Sequence, residues 1–111
     1  NGVAVYGNDV YWVSDGDGAV RTAPVGGGQV RTLATGQDTP HSLAVDDSGV
    51  WWTDWADGRL KGAVMHLPLN AKAPLTVAQP PEAAAPAGIV LGRKYLFYVD
   101  QGTGMVWRVV K

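Results

Sequence analysis

One aromatic, aspartate- and glycine-bearing segment occurs three times in this chain, and that recurrence constrains the fold more than any other feature. "VYWVSDGDGAVR" from Val10 returns as "VWWTDWADGRLK" from Val50 and as "LFYVDQGTGMVW" from Leu96. Trp12, Trp52 and Tyr98 correspond, as do Gly18, Gly58 and Gly104, so successive copies lie 40 and 46 residues apart. A repeat of this length is one supersecondary unit that buries its apolar surface only by stacking on its neighbours.

The content of each unit identifies it as β. Apolar positions alternate at period two, the side-chain period of a strand, and no amphipathic helix at period 3.6 interrupts them. Each aromatic segment follows a short apolar one built of small residues: "GVAVYG" from Gly2, "SLAVDD" from Ser42 and "GIVLGR" from Gly88. The unit therefore reads as an inner strand a, an aromatic strand b, a glycine-containing hairpin and a strand c. A strand d follows twice, in "GQVRTLAT" from Gly28 and "APLTVAQ" from Ala73, whereas nothing follows "MVWRVVK". Four antiparallel strands at this spacing make one β-propeller blade. The expectation is an all-β partial ring: blade one over residues 2–35, blade two over 42–79 and an incomplete blade three over 88–111.

The linkers fit this division. "GGG" at Gly26 to Gly28 reads as a c-to-d turn, and "HLPLNAKAP" from His66 as its longer counterpart. The stretch "QPPEAAAPAG" from Gln79 accounts for the longer second spacing and, because proline cannot donate to a ladder, is expected outside the sheets on a rim.

Composition agrees with this and excludes several functions. The 111 residues are 46% hydrophobic with fifteen glycines and five tryptophans, enough for a packed core with tight turns. A net charge of −1 provides no field for nucleic acid or an anionic membrane. No apolar run approaches membrane-spanning length, and the absence of cysteine rules out disulfides and thiolate metal sites.

At "VWWTDWADGRLKGAVM", Val50 to Met65, the chain resembles the YWTD propellers of lipoprotein-receptor ectodomains and, more broadly, six-bladed and NHL-type bacterial propellers. Only Trp51-Trp52-Thr53-Asp54 is close to the motif; the first repeat has Tyr11-Trp12-Val13-Ser14 and the third Phe97-Tyr98-Val99-Asp100. The resemblance implies a structural, hydrogen-bonding role for Asp54 between neighbouring repeats, and an extracellular, cell-surface or periplasmic location. Without cysteine-rich modules, a prokaryotic source is favoured over an animal receptor. Propellers serve as scaffolds, lectins, hydrolases and lyases, so the resemblance specifies fold and leaves function open.

Fewer than three full blades cannot close a ring, since propellers have about four to eight. The chain is then expected either as one piece of a longer propeller or as a subunit whose copies assemble, a dimer supplying about six blades. Its partners would be further blades, with protein or carbohydrate as a possible ligand.

Topology puts the b-to-c hairpins and d-to-a connections on one rim, the upper mouth of the channel, where propeller ligands usually sit. That rim is expected to hold Asp15, Asp17, Asp38, His41, Asp54, Trp55, Asp57, Asp100 and Gln101. His66 should follow strand c on the opposite face, with Asp46-Asp47-Ser48-Gly49 as an a-to-b turn there. His41 is a candidate general base or metal ligand, although no second His or Glu accompanies it at ligand spacing. Asp15 and Asp17 in "SDGDG" suggest calcium only weakly, since the distal glutamate of a calcium loop is missing and hairpins favour Asp and Gly anyway. Trp55, lying in the hairpin, is free to stack on a sugar or enter a partner's pocket. With no nucleophile motif or phosphate-binding loop, the expected function is non-catalytic binding or scaffolding. The alternatives are part of a lyase or hydrolase with its site at the channel mouth, or a structural subunit of a surface assembly.

Overall fold

A computed structural model describes residues 2–14, 16–55, 62–78, 86–101 and 104–111. Its eleven strands are β1 (Val3–Tyr6), β2 (Asp9–Ser14), β3 (Ala19–Pro24), β4 (Arg31–Ala34), β5 (Pro40–Asp46), β6 (Gly49–Asp54), β7 (Ala63–Pro68), β8 (Leu75–Ala78), β9 (Pro86–Leu91), β10 (Tyr95–Asp100) and β11 (Met105–Val110). They form three antiparallel meanders, β1-β2-β3-β4, β5-β6-β7-β8 and β9-β10-β11, each in sequence order. The chain is all-β, and its sheets are blades of a partial ring.

Register shows the repeat directly. Val3 pairs with Trp12, Leu43 with Trp52 and Ile89 with Tyr98, so the inner and aromatic strands of each blade meet at equivalent residues. The inner strands lie side by side, with β5 packed between β1 and β9. Because side chains alternate across a strand, the two aromatics of each pair part company. Trp52 enters the core between blades one and two with Val20, Leu43, Val50 and Leu67, whereas Trp51 enters the core between blades two and three with Val64, Ile89, Leu96 and Tyr98. This is why β6 is buried at every position while β10 alternates buried and exposed: blade two has a neighbour on each face and blade three on one.

Polar groups tie the blades as well. The Thr53 hydroxyl donates to the Ala87 carbonyl of blade three at 2.7 Å, and the Gln37 amide donates to the Gly18 carbonyl of blade one at 3.0 Å. Gly18 has φ of 65°, and a Cβ there would lie 2.4 Å from the Gln37 carbonyl oxygen, so the hairpin requires glycine on two counts.

Three local expectations need correction. Pro86 and Ala87 belong to β9 rather than to a linker, so the strand starts two residues before the expected Gly88, just as Pro40 opens β5; both prolines sit at the first strand position, where no ladder donor is required. Residues 79–85 of that stretch lie outside the described residues. His66 does not follow strand c but lies within β7, opposite Trp51, because the ladder continues to Pro68. The fourth strands are also shorter than expected, starting at Arg31 and Leu75.

Candidate functional site

On the upper rim, the connection from β4 to β5 runs between blades one and two and joins the groups expected there. Trp52 Nε1 donates to Asp54 Oδ1 at 3.1 Å and to Gln37 Oε1 at 3.2 Å, while the Trp55 amide donates to the Thr39 carbonyl at 2.9 Å. Gln37 thus holds the blade-two indole with its side chain and the blade-one hairpin with its backbone. Burial raises the Asp54 carboxyl to about 7, the Trp52 hydrogen bond pulling against this and the charge of Asp38 adding to it. His41 is exposed beside Trp55, their ring centroids 5.9 Å apart and tilted by 38°. The Trp55 Nε1 is buried without a partner among the described residues.

The remaining rim candidates separate. Asp17 pairs with Arg21 at 2.7 Å, an exposed contact that lowers its carboxyl pKa, and Arg21 also reaches the Ser14 hydroxyl. Asp100 is fully buried at the end of β10, and Gln101 beside it is exposed. Asp15 and Asp57 lie outside the described residues, so the Asp15–Asp17 calcium expectation has one described member, already ion-paired. Among the described residues no group of three His, Asp or Glu side chains is placed to hold a metal. The structure therefore brings together Asp54, Trp55, His41 and Asp38 around one inter-blade connection and leaves Asp17 and Gln101 apart.

The opposite face carries two features that sequence reasoning missed. The first is a polar lock between blades two and three. Asp46 accepts from the Ser48 amide at 3.0 Å, from the Ser48 hydroxyl and Trp51 Nε1, and pairs with Lys111, whose ammonium also donates to the Gly92 carbonyl at 3.0 Å. Burial opposes ionisation of Asp46, yet the Lys111 ammonium and the Ser48 and Trp51 donors together bring its carboxyl down to about 2. His66 stacks on Trp51 at 3.6 Å, its Nε2 3.2 Å from the Ser48 carbonyl, and burial lowers its pKa. The turn "DDSG" was legible as a turn; the role of Lys111, some sixty residues away, was not.

The second feature is a cleft of about 370 Å³ between the lower ends of blades one and two. Tyr6, Tyr11 and Leu33 form one wall, and Val50 and Leu67 belong to the other. No local signal marks it, because its residues come from six strands and the loops beyond two of them.

No protein-family model and no curated protein matches the chain. Solved structures do. The chain is similar to a nidogen/laminin complex structure (TM-score 0.61, 15% identity, 93% of this chain and 55% of that one). It is also similar to virginiamycin B lyase from Staphylococcus aureus, an inactive H270A form with quinupristin (TM-score 0.77, 14% identity, 98% of this chain and 37% of that one). The computationally designed Ika4 protein gives a TM-score of 0.68 at 14% identity over 97% of this chain and 63% of that one. The chain thus spans between 37% and 63% of the length of these structures, and at such identities the likeness shows fold alone. Its three meanders stacked side by side give the chain a β-propeller fold, present as a partial ring.

Proposed function

We propose that the chain is a binding or scaffold segment of a larger or oligomeric β-propeller, with further blades covering both of its outer faces. The observation that carries this reading is the chemistry of those faces. Tyr11, Trp51 and Phe97 are equivalent positions: Tyr11 packs toward blade two, Trp51 is buried against blade three, and Phe97 is exposed. Val90, Val99 and Val106 lie around Phe97 and with it line a depression of about 340 Å³. On the other side, Val3 and Val5 are exposed at the positions where Leu43 and Val45 meet blade one. Contiguous apolar surface of this kind on a folded protein marks an interface, and each open face repeats the positions of a face already used inside the chain.

The YWTD-like motif supports the scaffold role, because two of its residues join neighbouring units: Thr53 bonds to blade three, and Asp54 is held with Trp52 at the connection from blade one. Asp54 is engaged by Trp52 and by the Asp38 backbone, which argues for structure rather than acid–base chemistry at this rim. An extracellular, cell-surface or periplasmic setting is part of this reading, as the YWTD-like motif implies. No helix among the described residues is long and apolar enough to cross a membrane.

The test is to place charge on the open face of blade three in the native protein, with Phe97→Glu and Val106→Glu. If further blades cover this face, the double variant dissociates the particle or lowers its stability by several kcal/mol, as a charge buried without a partner does. Unchanged assembly and melting would refute the proposal.

A further inference from the structure

We propose that the lower cleft between blades one and two binds a short zwitterionic peptide, of two to three residues with an apolar side chain, amino end toward the channel axis and carboxylate toward the outer edge. The cleft is formed entirely within these two blades, so it does not depend on how the ring is completed.

The polarity of the cleft carries the inference. Its interior is apolar, walled by Tyr6, Tyr11 and Leu33 of blade one and by Val50 and Leu67 of blade two. Charges of opposite sign stand at its two ends. Asp47 sits in the turn after the innermost strand β5, beside the axis, and Arg31 opens the outermost strand β4. Both are exposed, and no hydrogen bond or ion pair among the described residues engages either side chain. Asp46, the other carboxylate at the cleft, is already neutralised by Lys111, so a single free negative charge faces a single free positive one.

The span sets the ligand's length. Neighbouring strands lie about 4.8 Å apart, so the turn after the innermost strand of blade two and the start of the outermost strand of blade one differ by roughly 14 Å in distance from the axis. Two to three extended residues span about 7–11 Å, which leaves roughly 3–7 Å to be bridged by the Asp47 and Arg31 side chains together. An apolar side chain at its centre fills the interior. Neither a simple anion nor an uncharged apolar group satisfies both ends.

The experiment is a titration of the native protein with the tripeptide alanyl-leucyl-alanine, followed by backbone amide NMR shifts at Gly49, Leu67 and Leu69. Its N-acetylated, C-amidated form and N-acetyl-leucine serve as comparators. The free tripeptide shifts these signals in a saturable way and binds about tenfold tighter than the doubly capped form. Arg31→Ala and Asp47→Asn each weaken it at least threefold, in keeping with the modest worth of exposed charge contacts. Both residues are solvent-facing, and unchanged tryptophan fluorescence verifies the fold. Equal binding of capped and free peptides, equal binding of N-acetyl-leucine, or no saturable shift at these positions overturns the proposal. The readout is one site per pair of blades one and two, so its failure leaves the covered-face reading standing, and the reverse also holds.

Discussion

Replacing Asp54 by asparagine should remove a penalty that grows between pH 4 and pH 7. The carboxyl is raised from 3.8 to about 7, with burial as the leading cause. Below pH 4 it is protonated in both the folded and unfolded chain and contributes no pH dependence. Between the two values the unfolded chain ionises while the folded chain stays protonated, so the unfolded state gains with rising pH. Above pH 7 both are ionised and the penalty is constant. At about 1.36 kcal/mol per unit the three-unit shift sets a ceiling of roughly 4 kcal/mol. Water entry and relaxation around a rim position reduce this to about 2 kcal/mol. Asparagine retains an acceptor for Trp52 Nε1 and cannot ionise. Urea unfolding followed by tryptophan fluorescence at half-unit steps from pH 4 to 8 measures the effect. His66, whose lowered pKa makes stability rise with pH toward 6.5, contributes equally to both proteins and cancels in the difference. The wild type should lose stability relative to Asp54→Asn across the window. Parallel profiles, or a wild type that gains, would refute burial as the state of this carboxyl.

Three further outcomes follow from particular contacts. Gly18→Ala meets both a left-handed backbone and the Gln37 carbonyl, and should cost about 1–3 kcal/mol in urea midpoint terms; Gly26→Ala, with open space around it, should cost far less. Trp52→Phe removes the donor shared by Asp54 and Gln37 from a fully buried site, and should lower stability by about 2 kcal/mol with a visible change at the Gly18 amide by NMR. Lys111→Met should let the Asp46 carboxyl rise from about 2 toward its ordinary value in a carboxyl NMR titration. Because that pKa is depressed in the folded state, the pair's contribution is present above pH 4 and lost as pH falls toward 2, and screening keeps it under about 1 kcal/mol.

The blade plan was legible because period-two alternation, paired aromatics and hairpin glycines recur at one spacing. The alternation of side chains along a strand is by itself enough to send Trp51 and Trp52 to different blades. Strand ends were read less well: Pro86 was discounted as a ladder breaker although a strand's first residue needs no donor, and His66 was assigned to the turn "HLPLNAKAP" although the ladder runs through it. At the upper rim, blade topology put Asp54, Trp55 and His41 around one mouth, but Gln37, which links Trp52 to the Gly18 hairpin, has no motif of its own. The lower face was missed for a topological reason. Its lock joins Asp46 to Lys111 and its cleft joins β1 and β4 to β5 and β6, partners that only inter-blade packing brings together.

The central claim is that both outer faces of this partial ring are covered in the native protein, and the mass of the native particle tests it most directly. Sedimentation equilibrium of the protein as it occurs should give a particle with at least about four blade equivalents, whether from one longer polypeptide or from several copies of the 11.7 kDa chain. A folded, monodisperse particle of 11.7 kDa at millimolar concentration, with Phe97 and Val106 in contact with solvent, would contradict it.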